Sequence, residues 1–107
     1  MATGTINMDV EKSRREILRW RVLQTLQVGR PYPVGEDVIL ATVGGEDMPI
    51  TPHNVRRSLD YLATRDLVKI SGRETGVWSA TLTRYGIDFV DYTIDAEPGI
   101  ARPRKVW

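Results

Sequence analysis

The stretch ITPHNVRRSLDYLATRDLVKIS, residues 50–71, places several nucleic-acid-binding side-chain types within about one helical turn. Asn54 can pair bidentately with adenine, and Arg56 or Arg57 can pair with guanine. His53, the single histidine of the chain, adds a phosphate donor when it is protonated at mildly acidic pH. The same side chains would also suit the solvated face of an amphipathic helix, so both interpretations stay open for each residue.

A helix beginning after Thr51 must position these side chains. Thr51 is a natural N-cap, and Pro52 suits the first helical position because its missing N–H is not needed there. An apolar stripe at i, i+4 and i+7 consists of Val55, Leu59 and Leu62. With this stripe facing inward, Tyr61 and the polar residues lie mainly on other sides. The free N–H groups at such a helix start suit a phosphate, and the helix should end near Arg65.

A β-hairpin is predicted directly after this helix. From Leu67 the apolar period changes to two, in LVKIS and again in VWSATL, and GRETG between them supplies a turn of about five residues. The candidate phosphate contacts along the hairpin and just after it are Lys69, Arg73 and Arg84. Glu74 beside Arg73 would be repelled by phosphate and partly offsets it. A last helix is predicted from about Thr83 to Tyr92.

The first half of the chain predicts two further helices. One begins near Glu11 to Ser13 and runs to about Val28, and the other covers EDVILATV between the loops RPYPVGED and GGEDMPI. The first helix has one apolar stripe of Leu18, Val22 and Leu26. Ile17, Trp20 and Val28 lie on another side of it, so this helix needs a second partner. That partner is either the C-terminal segment or a second subunit. In the second case Ile17, Trp20 and Trp107 would be the dimer contacts.

The order of elements, three helices, a two-stranded hairpin and a last helix, predicts an α+β, mostly α chain with the parts of a winged helix-turn-helix domain. The segment TPHNVRRSLDYLATRDLVKIS resembles the recognition helix and first wing strand of GntR-type regulators. LTRYGIDFV resembles the segment that follows the wing in MarR- and PadR-like regulators. We therefore expect a flexible arm at residues 1–10, a winged-helix domain at 11–94 and an irregular tail at 95–107.

The resemblance implies a small transcriptional regulator that binds double-stranded DNA, with the third helix in the major groove and the wing on the backbone. The positions that meet DNA in the GntR-like pattern fall on Pro52, Asn54 and Arg56, and Pro52 stands where such regulators often have arginine. Two features depart from the pattern: the link between the second and third helices is long, and no effector domain follows. The ending GIARPRKVW also resembles short proteins of Mu-like phages and prophages, which carries no function with it.

Composition limits the other classes of function. The chain has no cysteine, and its lone histidine has no carboxylate at ligand spacing, so we expect no metal, no cofactor and no enzyme activity. No apolar run approaches the roughly 20 residues of a membrane span, and we expect a cytoplasmic protein. The net charge is only +1, but residues 51–84 carry six basic and three acidic groups. Near neutrality also favours the alternative, a winged-helix module that binds a protein partner instead of DNA.

Overall fold

The structure is a computed structural model that describes residues 2–107, with side chains from residue 9 onward. Its elements follow the chain as α1 Ala2–Gly29, β1 Val34–Gly35, α2 Glu36–Val43, α3 Pro52–Thr64, β2 Val68–Ser71, β3 Ser79–Leu82 and α4 Arg84–Val90. The predicted class, α+β and mostly α, is confirmed. Within the described residues no helix combines the length and the apolar character that a membrane span requires.

Helix α1 lies at the centre of the core. Its predicted stripe of Leu18, Val22 and Leu26 is buried against α2 and α3. The predicted arm at residues 1–10 falls mostly on residues 1–8, which lie outside the described side chains. Asp9 and Val10 are exposed but helical, so α1 begins earlier than the sequence predicted.

Trp20, on the second side of α1, packs inside the chain. Trp20 is only 7% exposed and makes edge-to-face contacts with Phe89 of α4 and with Tyr92, both at 6.2 Å between ring centres. The C-terminal segment therefore covers this side at Trp20, which has almost no surface left for a second subunit, whereas Ile17 and Val28 are exposed.

Helices α2 and α3 follow the sequence pattern closely. Helix α2 matches the predicted EDVILATV, and Gly44 ends it. The long link from Gly44 to Thr51 is secured by Met48, which is buried and exchanges two backbone hydrogen bonds with Gly45, each of 3.1 Å. In α3 the whole predicted stripe of Val55, Leu59 and Leu62 is fully buried.

The sheet has three antiparallel strands in the order β1-β3-β2, one more than predicted. Val34 and Gly35, which were expected in a loop, pair with Ala80 and Ser79 of β3. A two-residue strand has too few side chains for a period of two to be visible in the sequence. The hairpin loop is also longer than predicted and extends from Gly72 to Trp78, since β2 ends at Ser71 and β3 begins at Ser79.

The tail after α4 is irregular but packed. Ile100 is buried in the core, and the Ala101 N–H donates to the Glu16 carbonyl of α1 at 3.1 Å. The Arg102 guanidinium donates to two backbone carbonyls, those of Phe89 and Ile94, and lies over the rings of Phe89 and Tyr92. These contacts attach the tail to α1 and α4.

Candidate nucleic-acid interface

The start of α3 is closed by a reciprocal cap. The Thr51 Oγ1 accepts from the Asn54 backbone N–H at 3.2 Å, and the Asn54 Oδ1 accepts from the Thr51 N–H at 2.8 Å. Such a box stabilises a helix start. It also engages the oxygen that Asn54 would need for bidentate pairing with adenine, a pairing that uses both the oxygen and the nitrogen of the amide.

One face of α3 is turned to solvent along its whole length. Its residues are spaced at i, i+4, i+7 and i+11, opposite the buried stripe: His53, Arg57, Asp60 and Thr64. Within residues 9–107 the side chains of His53 and Arg57 have no ion-pair or hydrogen-bond partner. We call these four residues the exposed face of α3. Two polar flanks, one toward the hairpin and one toward α1, border it.

The flank toward the hairpin is a network of paired charges, which we call the Trp78 bracket: Glu36, Arg56, Asp60, Arg73 and Trp78. Arg56 and Glu36 form a bidentate pair with Nε–Oε1 at 2.6 Å and Nη2–Oε2 at 2.8 Å. Arg73 pairs with Asp60 at 2.6 Å. Both guanidiniums lie over the Trp78 indole, each 4.7 Å from the ring centre. The bracket thus joins the start of α2, the middle of α3 and the hairpin loop.

Glu36 is the central acceptor of the bracket. Its Oε2 accepts from the Trp78 backbone N–H at 2.8 Å, and its own N–H donates to the Trp78 carbonyl at 2.9 Å. The hydrogen bond from Arg56 lowers the pKa of the Glu36 carboxyl, and the same bond raises the pKa of Arg56. Arg56 also donates to the Gly76 carbonyl at 2.7 Å. Its donors are therefore largely used inside the chain, although the sequence pattern assigned it to DNA.

The flank toward α1 is a cleft of about 170 Å³ between α1 and α3. We call it the arginine cleft, and its lining consists of Arg15, Leu18, Arg19, Asn54, Ser58, Tyr61 and Arg57. Three guanidiniums line it and no carboxylate does. The side chains of Arg15 and Arg57 have no ion-pair partner within residues 9–107, so the positive charge of this cleft is not neutralised by the residues that line it.

Arg19 forms the ordered wall of the cleft. Its guanidinium lies 3.6 Å from the centre of the Tyr61 ring, and its Nη1 donates to the Gly99 carbonyl at 2.8 Å. Burial lowers the pKa of Arg19, and the like charge of Arg15 acts in the same direction, against the opposing effects of Tyr61 and Glu16. A guanidinium held over a ring with donors to spare suits a planar or tetrahedral oxyanion.

The remaining predicted residues are dispersed. Lys69 is exposed on β2 opposite Thr81, and it belongs to neither flank. Arg84 is 87% exposed at the start of α4, near Thr64 at the far end of α3, with Asp88 at 3.8 Å. Of the predicted dimer contacts, Ile17 is partly exposed on α1. Trp107 is largely exposed; its ring meets Tyr92 edge-on, at 4.9 Å between ring centres, and Lys105 Nζ lies 5.8 Å from its centre.

Sequence reasoning missed Arg15 and Arg19. They are spaced at i, i+4 on α1 and border the buried stripe at Leu18, so helical periodicity places them beside whatever α1 packs against. The excess of basic residues in this segment was visible, but which helix would lie beside it was not.

Within residues 9–107 no group of three or more His, Asp or Glu side chains is placed to bind a metal ion. No family model, no curated protein and no solved structure matches this chain. What the surface can bind must therefore be argued from its own geometry.

Proposed function

We propose that this protein is a winged-helix protein that binds double-stranded DNA, with the exposed face of α3 in the major groove, and that it regulates transcription. The observation that carries the proposal is the arginine cleft. Three guanidiniums without a lining carboxylate stand directly beside α3, on whose outer face His53 and Arg57 are exposed. A phosphate in the cleft would supply the missing negative charge.

The element order supports the same arrangement. Three helices precede the hairpin, and β1 completes the small sheet at the base of that hairpin. In winged-helix proteins the helix before the hairpin enters the groove and the hairpin lies along the backbone. In this pose His53 and Arg57 face base edges or phosphates, and Lys69 lies on the hairpin as a further phosphate contact.

The charge pairing limits how strongly DNA would be bound. Arg56 and Arg73 are engaged by Glu36 and Asp60, so the residues with free charge in this pose are chiefly those of the cleft. With about one phosphate neutralised by each cleft arginine and one by Lys69, the logarithm of the binding constant should fall with the logarithm of salt concentration with a slope between about −3 and −4. Because a single module buries limited surface on DNA, binding as a dimer to two half-sites is expected.

The test compares Arg15→Ala/Arg57→Ala with wild type in a salt-resolved binding titration on a pool of random duplexes. The double variant is expected to lose about tenfold or more in affinity near 50 mM salt and to have a slope smaller by about two. Arg30→Ala/Arg104→Ala removes the same charge away from the cleft and should retain most of the affinity. Arg56 is left unchanged because its loss would disturb the fold. Absence of wild-type binding to any duplex at about 50 mM salt would overturn the proposal.

A second candidate function, binding of a protein partner, is favoured by a different surface. An open apolar groove of about 600 Å³ lies between α1 and α2, and exposed side chains of Val28 and Val38 line it. Val28 is 87% exposed, which is unusual for a valine beside other apolar residues. Val28→Asp/Val38→Asp should abolish partner binding or self-association in sedimentation while leaving DNA binding intact. If the variant loses neither, this candidate is excluded.

A further inference from the structure

Two arginines share one indole ring but differ in how they are paired. Arg56 and Arg73 lie at equal distances from the Trp78 ring, 4.7 Å each. Arg56 is bound by two hydrogen bonds to Glu36, which is only 17% exposed, and by a third to Gly76. Arg73 has Asp60 as its single ion-pair partner, and both side chains are nearly half exposed, at 46% and 47%.

This difference determines which arginine can leave its carboxylate for another anion. An ion pair between half-exposed side chains contributes little, because water and salt screen it and both chains lose freedom. The Arg56–Glu36 pair is bidentate and less exposed, and release of Arg56 would leave the largely buried Glu36 carboxylate without its counter-charge. Arg73 can therefore leave its carboxylate at small cost, whereas Arg56 cannot.

The position of Asp60 gives the exchange a consequence. Asp60 lies on the exposed face of α3, one turn after Arg57, and is the only acidic residue on that face. In the proposed pose a duplex on this face brings phosphates close to Asp60 and Arg73 together. The carboxylate would be repelled by the phosphates, and the guanidinium would be attracted to them.

Resting on the proposed function, we propose that Asp60 is an internal counter-ion that competes with the DNA backbone for Arg73. In the free protein Arg73 is paired with Asp60. On the duplex Arg73 transfers to a phosphate while its guanidinium stays over Trp78, so the transfer needs little movement of the hairpin. Asp60 thereby lowers affinity for any anionic surface that cannot reach Arg73, which makes it a specificity-determining residue.

The experiment is a double-mutant cycle in a salt-resolved duplex titration, with Asp60→Asn, Arg73→Ala and the combination of both. Asp60→Asn is expected to raise affinity about two- to fivefold at about 100 mM salt, which is the range of an exposed pair. Arg73→Ala should cost more affinity in the Asp60→Asn background than in wild type. Asp95→Asn removes the same unit of charge from the exposed tail and should change affinity by less than twofold.

Each outcome decides between the alternatives. Equal gains from Asp60→Asn and Asp95→Asn would overturn the competition and indicate a general charge effect. A loss of affinity with Asp60→Asn would overturn it in favour of direct contact between Asp60 and a cytosine amino group. If neither wild type nor Asp60→Asn binds duplex, the proposed function fails and this inference fails with it. If wild type and Asp60→Asn bind duplex with equal affinity, the competition between Asp60 and DNA is overturned but the proposed function stands.

A measurement on the wild-type protein avoids dependence on variants. The Nε–Hε resonances of Arg56 and Arg73 can be followed by NMR during titration with duplex. We expect the Arg73 resonance to shift on saturation and the Arg56 resonance to stay in place. Movement of neither arginine, in a protein that binds the duplex, would overturn the exchange.

Discussion

Both flanks of α3 place arginine side chains over aromatic rings, but only one flank pairs its arginines with carboxylates. Toward the hairpin, Arg56 and Arg73 each have a carboxylate and share an aromatic ring. Toward α1, Arg19 has an aromatic ring at a comparable distance, yet no carboxylate lines its cleft. Stacking of a guanidinium on a ring is thus common to both flanks, and the presence of an acid is what separates them.

This difference indicates that the charges of the two flanks have different roles. A paired, partly buried charge stabilises the position of neighbouring elements, since removing one partner leaves the other unsatisfied. An unpaired charge gains nothing within the chain, so clustered arginines without acids cost stability unless an anion arrives. The hairpin flank accordingly fixes the geometry of α3 against α2 and the loop, and the α1 flank is the one available for a ligand.

The largest effect on stability is expected from Glu36→Gln, which disrupts the Trp78 bracket. An amide oxygen at the Oε2 position can still accept from Arg56 Nη2 and the Trp78 N–H, but the amide NH2 then faces the Arg56 Nε donor and the charge of the pair is lost. We expect a loss of about 1–2 kcal/mol in the free energy of unfolding, measured by urea denaturation. Asp37→Asn is the matched control, since the neighbouring carboxylate is exposed and accepts only from the Val38 N–H. Equal losses in both variants would mean that the bracket does not stabilise the fold.

The contribution of the Glu36–Arg56 pair to the free energy of unfolding should fall at low pH, and this change should be smaller than the effect of Glu36→Gln. The bond from Arg56 lowers the folded-state pKa of Glu36, whereas in the unfolded chain the carboxyl titrates near 4.3. The stability that Glu36 contributes is therefore present above about pH 4.3 and is lost as pH falls through the lowered folded-state pKa. The difference in unfolding free energy between wild type and Glu36→Gln should shrink between pH 6 and pH 3. A difference that stays constant over this range would contradict the assignment.

Helix α3 and the pairing of Arg56 show which features could be predicted from the sequence and which could not. The stripe Val55, Leu59, Leu62 and the cap at Thr51 were predictable because a helix imposes a fixed spacing and a fixed chemistry at its start. The pairing of Arg56 was not predictable from local pattern. Its acceptor, Glu36, is 20 positions away, and only the packing of α2 against α3 brings the two together.

The α1 flank shows the complementary limit. Arg57 could be identified from the sequence as an outward residue of α3, but Arg15 and Arg19 belong to another helix. Trp20 shows the same limit, since periodicity shows that a side of a helix is apolar and does not show what covers it. The two-residue strand Val34–Gly35 had no periodic signal at all.

The smallest effect on stability is expected in the arginine cleft, where removing a charged side chain should stabilise the protein. Arg15 and Arg19 are like charges at i, i+4, and Arg15 contributes to the lowered pKa of Arg19. Removing Arg15 should therefore stabilise the free protein by about 0.2–0.5 kcal/mol at low salt, the usual cost of such a pair. The gain should disappear as salt screens the repulsion, and thermal unfolding at about 10 mM and 500 mM salt measures both. Arg14→Ala is the matched control, because Arg14 faces Glu11 at 3.9 Å and its loss should not stabilise. If Arg15→Ala destabilises at low salt by as much as Arg14→Ala, the cleft holds no uncompensated repulsion, and the main support for an anion site at this flank is lost.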